Sequence, residues 1–238
     1  MLDKMTWDLT MKTALHSFWR EWRVALVFLS LMGVFRSAVA DYMYVPSGSM
    51  NPTLMDGDRI IVDKRVYGFR VPFTLVRLTD GQAPKRGDIA VFQSPADGKT
   101  LVKRVVGLPG DTVAMEQDRL MINGQPAAYT PVDFAAEADL VAEFSRQPHS
   151  IVNESVAGVD HWMMKLPQRP AMRSFEAVTI PEGAYWMMGD NRDDSADSRY
   201  IGAVPRELIF GRATAVLASP NPDHNWLPRA DRWFLALH

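Results

Sequence analysis

The chain has no cysteine. That excludes disulfides, thiol nucleophiles and thiolate metal sites, and it permits an oxidising compartment without requiring one. Its five histidines stand alone at 16, 149, 161, 224 and 238, none in a His-x-x-x-His or Glu-x-x-His arrangement. A histidine-based zinc centre is therefore not expected. No long basic run is present and the net charge is −2, so nucleic acid is not an expected partner. The chain also has little uninterrupted apolar sequence. The longest charge-free stretch near the N-terminus is Val24–Phe35, ended by Arg36.

That stretch alone rises only about 18 Å as a helix, short of a hydrocarbon core of about 30 Å. Extension back to Phe18 and forward to Ala40 makes a span feasible, with Arg20, Glu21, Arg23 and Arg36 near the two interfaces and Trp19 and Trp22 in an aromatic belt. A surface helix and a cleaved signal peptide are the competing readings. The long segment before the run and the interrupting arginine count against the second. The expectation is a single membrane anchor over 18–40. Residues 1–17 then lie in the cytoplasm, as the basic residues before the span favour, and the remainder lies on the outer face.

Beyond the anchor, short β-branched runs alternate with Gly, Asp and Pro. Strands are predicted at 59–64, 89–92, 101–106 and 112–115. Gly-Asp precedes a strand at 57, 87 and 110, a recurrent turn chemistry, and Asn123-Gly124 is a two-residue hairpin signal. The rhythm weakens over 125–175, read as an inserted subdomain with a possible helical patch at 134–144 and a strand at 161–164. Its Asn153-Glu154-Ser155 has the glycosylation pattern, taken as idle. Strands resume within 178–188 and at 208–217. The predicted fold is mainly β: an antiparallel catalytic core in two parts, 41–124 and 176–218, the insertion between them, and a tail over 219–238.

Two polar stretches carry candidate chemistry. Pro46–Leu54 reads PSGSMNPTL, with two hydroxyls flanking a glycine inside a frame of prolines. Gly189–Tyr200 reads GDNRDDSADSRY; it lacks the central glycine and terminal glutamate of a calcium loop. The strongest candidate base is Lys103, which interrupts the run 101–106. Alternation puts Lys103 and Arg104 on opposite faces. If Lys103 faces the apolar side, burial favours its neutral amine, which could take a proton from Ser49. If it faces water, it is only a solvated strand residue.

Taken together, PSGSMNPTL (46–54), GDRIIVDK (57–64), KRVVGLPGD (103–111) and GDNRDDSADSR (189–199), in that order and spacing, strongly resemble bacterial type I signal peptidase, the membrane-anchored serine–lysine leader peptidase. Arg36 at the end of the span fits the same pattern. The resemblance covers about residues 30–218. Asp194 departs from the family's usual asparagine, only one span is readable where some members have two, and the disulfide of some members cannot form here.

The resemblance implies a serine endopeptidase with Ser49 as nucleophile and Lys103 as general base. It implies an oxyanion hole from the Ser49 N–H and the Ser47 hydroxyl, and Ser195 orienting the lysine amine. Arg104 with Asp190, and Asp197 with Arg199, would be supporting pairs, and Met50 would shape the site. Substrate would lie extended along a strand edge, with Val45, Leu54 and Val102 walling shallow pockets suited to Ala-x-Ala. No cofactor or metal is implied. The implied partners are membrane-tethered secretory preproteins and the phospholipid bilayer, and the implied location is the outer face of the cytoplasmic (inner) membrane. Two other classes stay open: a serine–lysine protease of a specialised system, and a non-enzymatic membrane-anchored β domain that binds extended peptides. The aromatic tail, Asn225–Pro228 and Arg232–Leu235, could touch lipid headgroups or pack on the core.

Overall fold

The computed structural model describes residues 2–74, 76–132, 148–222 and 225–237. The helical patch expected at 134–144 lies outside them. Helix α1 (Leu2–Ala38) leads into the body. No helix among the described residues is long and apolar enough to cross a membrane. The physical reason is visible in the sequence: Arg23 and Arg36 bracket the charge-free run. Along that run Val24, Phe28, Leu29, Leu31 and Phe35 are exposed, so α1 does not bury this surface against the body.

The body is mainly β. Its principal sheet contains β1 (Ala40–Tyr44), β2 (Arg59–Asp63), β3 (Ile89–Gln93), β4 (Thr100–Gly107), β12 (Ala184–Met188), β13 (Val204–Pro205) and β14 (Ile209–Ala218). Their spatial order is β1-β2-β14-β3-β4-β12-β13, and every pairing is antiparallel. Strand β17 (Leu235–Ala236) of the tail adds to β14. A second sheet joins β11 (Phe175–Thr179) and β5 (Thr112–Glu116) to the hairpin β6 (Arg119–Ile122) and β7 (Gln125–Pro126). That hairpin turns at Asn123-Gly124, both at positive φ. A third sheet, β8 (Ala128–Pro131), β9 (Ser150–Val156) and β10 (Val159–Lys165), lies within the region whose strand rhythm looked weak.

The Gly-Asp turns share one device. The carboxylates of Asp58, Asp88 and Asp111 accept from the backbone N–H groups of Met55, Lys85 and Leu108, three residues earlier, at 2.9, 2.9 and 2.7 Å. Gly57 and Gly87, at φ +96° and +91°, supply left-handed backbone that a side chain would resist. One apolar cluster matters most for the site. Val45, Met50, Leu54, Ile60, Val62, Ile89 and Val91 bury together and seat the 46–58 segment on the sheet.

Strand β4 pairs with β3 over Thr100–Arg104, and β12 meets it only from Arg104 to Gly107. Past Met188 the chain leaves the sheet as the 189–199 loop. Among the described residues, no strand pairs with the other side of Thr100–Lys103.

Candidate active site

The site forms where the 46–58 segment, β4 and the 189–199 loop meet. Ser47 is extended, and a single 3-10 turn follows over Gly48–Met50. Met50 is buried and anchors that turn, leaving Ser49 partly exposed and Ser47 exposed. A Cβ at Gly48 would stand 2.6 Å from the Asn51 amide nitrogen, so any side chain there would displace the Asn51 amide.

Both open faces of β4 turn out to be covered, so neither Lys103 nor Arg104 is solvated. Lys103 is 3% exposed and Arg104 is 2% exposed. The Lys103 amine lies 2.7 Å from Ser49 Oγ and 3.0 Å from the Val102 carbonyl oxygen. Burial pushes its pKa down to about 8, against a smaller upward pull from Asp197, Asp190 and Asp194. Ser47 Oγ stands 3.3 Å from Ser49 Oγ.

Arg104, on the opposite face of the strand, grips Asp190 at both oxygens, 2.9 and 2.8 Å. Asp190 also accepts from Thr53 Oγ1 at 2.5 Å, which ties the loop to the segment carrying Ser49. Burial alone would raise the Asp190 pKa, but Arg104 holds it below the ordinary carboxylate value. Asp197 pairs with Arg199 at 2.8 Å and accepts from the Gly189 N–H at 3.0 Å. It also caps the one-turn helix Ser198–Ile201. Asp193 and Asp194 bond to Arg173 and Arg169. The aspartates that suggested calcium are thus each engaged by an arginine.

Two expectations need correction. Ser195 does not hydrogen-bond to the lysine: among the described residues its Oγ is buried without a partner, and the amine donates to the Val102 carbonyl instead. The hydroxyl packs over Gly189, where any Cβ would collide with it. Leu54 does not wall an open pocket; it is 0% exposed inside the core, and Val45 is closed in the same cluster. Of the three expected wall residues, only Val102 stays half-buried at the surface.

Three residues were not singled out in advance as parts of the site. Gly189 must lack a side chain, because a Cβ would also lie 2.5 Å from the Ser49 carbonyl oxygen. Asn191 donates from its backbone to that carbonyl at 3.2 Å and from its amide to the Gly48 carbonyl at 3.0 Å. Arg232 of the tail is buried and donates to Asp58 at 2.7 Å and to the Thr53 carbonyl at 3.0 Å. The signal for Gly189 and Asn191 was their place in the loop motif, whereas nothing in the sequence linked position 232 to position 53. Trp226, Trp233 and Phe234 of the same tail remain exposed.

A serine hydroxyl on a buried amine, set on an antiparallel β body, is equipment for acyl transfer by a serine hydrolase. The comparisons give the family. A family model described as "Signal peptidase, peptidase S26" matches residues 19–218. The chain is 38% identical over 217 residues to signal peptidase I of Pseudomonas fluorescens, covering 86% of this chain and 74% of that one. It is 38% identical over 219 residues to signal peptidase I of Pseudomonas aeruginosa, with the same coverage of both. A crystal structure of a signal peptidase I from Enterococcus faecalis shares 35% identity, covers 56% of this chain and 98% of its own, and superposes with a TM-score of 0.34. The chain belongs to the signal peptidase family, peptidase S26, and is a serine endopeptidase that removes signal peptides.

Proposed function

We propose that Ser49 attacks the scissile carbonyl of a signal peptide while Lys103 takes its proton. The carrying observation is the 2.7 Å contact between Ser49 Oγ and an amine that is 3% exposed. An amine shifted down to about 8 is neutral often enough near pH 7 to act as a base. The proton then passes to the departing amine, and water, deprotonated by the same lysine, hydrolyses the acyl-enzyme. The Ser49 N–H and the Ser47 hydroxyl face the developing oxyanion. The Val102 carbonyl holds the amine in line, the role first expected of Ser195.

The free side of Thr100–Lys103 supports binding of an extended peptide as an added strand. Small residues before the cut, as in Ala-x-Ala, suit the confined space beside Val102. The two parts 41–124 and 176–218 form the catalytic unit in this reading. The exposed apolar run of α1 supports membrane attachment at the inner membrane, single-pass, with the body on the outer face and membrane-tethered preproteins as substrates.

Cleavage of an Ala-x-Ala preprotein in detergent by wild type, Ser49→Ala and Lys103→Ala tests the mechanism. Correct product from either variant would overturn it. A specialised serine–lysine protease would leave the Ala-x-Ala preprotein intact yet require both residues for its own substrate. A peptide-binding domain would bind and cleave nothing.

A further inference from the structure

We infer that Asn191 is a positioning residue for the oxyanion site, fixing the direction in which the Ser49 N–H points. The inference rests on the proposed role of Ser49. Gly48 C=O and Ser49 N–H belong to one peptide group, which is planar and trans here. In a trans peptide the two groups point in opposite directions and cannot rotate independently. The Asn191 amide donates to the Gly48 oxygen at 3.0 Å. Its grip therefore aims the Ser49 N–H away from the 189–199 loop, toward the open side where Ser47 and Ser49 present their hydroxyls.

The peptide needs an outside clamp. Gly48 has the freest backbone in the segment, and among the described residues its carbonyl is otherwise held only by the local bond from the Asn51 N–H at 3.0 Å. A carbonyl that accepts two donors also polarises its peptide, which strengthens the N–H on the far side. Asn191 grips the next carbonyl too, through its own N–H to Ser49 O at 3.2 Å. The clamp is itself rigid. Asn191 is 2% exposed, and it bridges Met164 of β10. On either side of it, the Met164 N–H donates to Asp190 O at 2.8 Å and the Arg192 N–H donates to Met164 O at 2.9 Å.

The test uses the full chain in detergent with a preprotein substrate. Two further ligands are a peptide aldehyde, which forms a tetrahedral adduct with Ser49, and the corresponding product peptide. Asn191→Ala is expected to lower kcat about 10- to 100-fold, less than or equal to the loss of a donor itself. KM should stay within about twofold, the signature of an interaction made in the transition state. Affinity for the aldehyde should fall by the same factor as kcat, with affinity for the product peptide unchanged. The pH midpoint near 8 should not move, because the lysine is untouched. Asn191→Asp keeps the shape but turns an acceptor toward the Gly48 oxygen, so it should lose more than Asn191→Ala; it also decides the matter if Asn191→Ala fails to fold. Wild-type kcat in both variants overturns the inference, as does a loss confined to KM, a parallel loss of aldehyde and product affinity, or a shifted pH midpoint. Ser49→Ala separates the two levels. If it stays active, the proposal that Ser49 is the nucleophile fails; if it is dead while both Asn191 variants are normal, only the present inference fails.

Discussion

Burial of Lys103 costs stability at low pH, the counterpart of its proposed role as base. Its folded pKa is about 8 against an ordinary 10.5. Between those values the unfolded chain holds the proton and the folded chain does not, so stability rises with pH from about 8 to 10.5 and is lowest below 8. Lys103→Met should abolish this slope in urea titrations run across that range, along with all cleavage. Activity has the same origin. kcat/KM should rise about tenfold per pH unit below the midpoint near 8 and level off above it. A flat profile from pH 6 to 9 would show that the amine is not the base. Gly189→Ala should remove activity more than stability, because its Cβ would press on Ser195 Oγ and on the Ser49 carbonyl rather than on the core. Circular dichroism alongside a cleavage assay checks this. Ser49 and Lys103 were legible as candidates because their motifs are distinctive and because one lysine interrupts an apolar strand. The direction of that lysine was not legible. Alternation separates Lys103 from Arg104 but cannot say that both faces of β4 are covered. The error over Ser195 has a similar cause, since a motif gives proximity and leaves the choice among acceptors to the backbone.

At the scale of elements, the nucleophile segment is fastened by pairs from several directions. Thr53 and Arg104 share Asp190, and the 189–199 loop is folded on itself by Asp197 with Arg199. Asp190→Asn would leave the Arg104 guanidinium buried without its anion, a change that costs about 3–5 kcal/mol when one partner of a buried pair is removed. The expected outcome is a clear fall in Tm together with loss of cleavage. Retention of the wild-type Tm would mean that water or another acceptor replaces the carboxylate. The strands of the main sheet were readable because β-branched runs stand between Gly-Asp turns whose aspartates close the backbone locally. Strands β8 to β10 were mostly missed for a physical reason. Their key residue, Glu154, is buried against Arg192, His161 and the Tyr129 hydroxyl. Burial of a paired carboxylate in a strand looks like surface polarity in the sequence. The same pairing holds the Glu154 pKa well below its ordinary value, with Arg192 overcoming the opposing effect of burial.

At the scale of the whole molecule, α1 and the body make different demands. Among the described residues, the body buries its apolar residues in clusters that involve none of α1. The helix end is tied to the body at its last turn: the Ser37 hydroxyl accepts from the Phe73 N–H at 2.6 Å, the Arg36 carbonyl accepts from the Lys64 amine at 3.1 Å, and Arg36 pairs with Asp41 at 2.5 Å beside exposed solvent. Exposed pairs of this kind contribute about 0–1 kcal/mol. Val24, Phe28, Leu29, Leu31 and Phe35 of α1, in contrast, are exposed, and removing such apolar surface from water is worth about 25 cal/mol per Å2 wherever a partner is found. Deletion of residues 1–38 should therefore leave a folded body with the wild-type melting transition and with full turnover of a short soluble peptide. It should abolish sedimentation with phospholipid vesicles and sharply lower the rate on a preprotein embedded in those vesicles, because enzyme and substrate no longer share one surface. If the truncated chain bound vesicles as well as the full chain, attachment would have to come from the body, where Trp226, Trp233 and Phe234 of the tail stand exposed. If instead it failed to cleave even the soluble peptide, the helix would be supporting the site through Phe73 and β1, and the separation of anchor from catalyst would not hold.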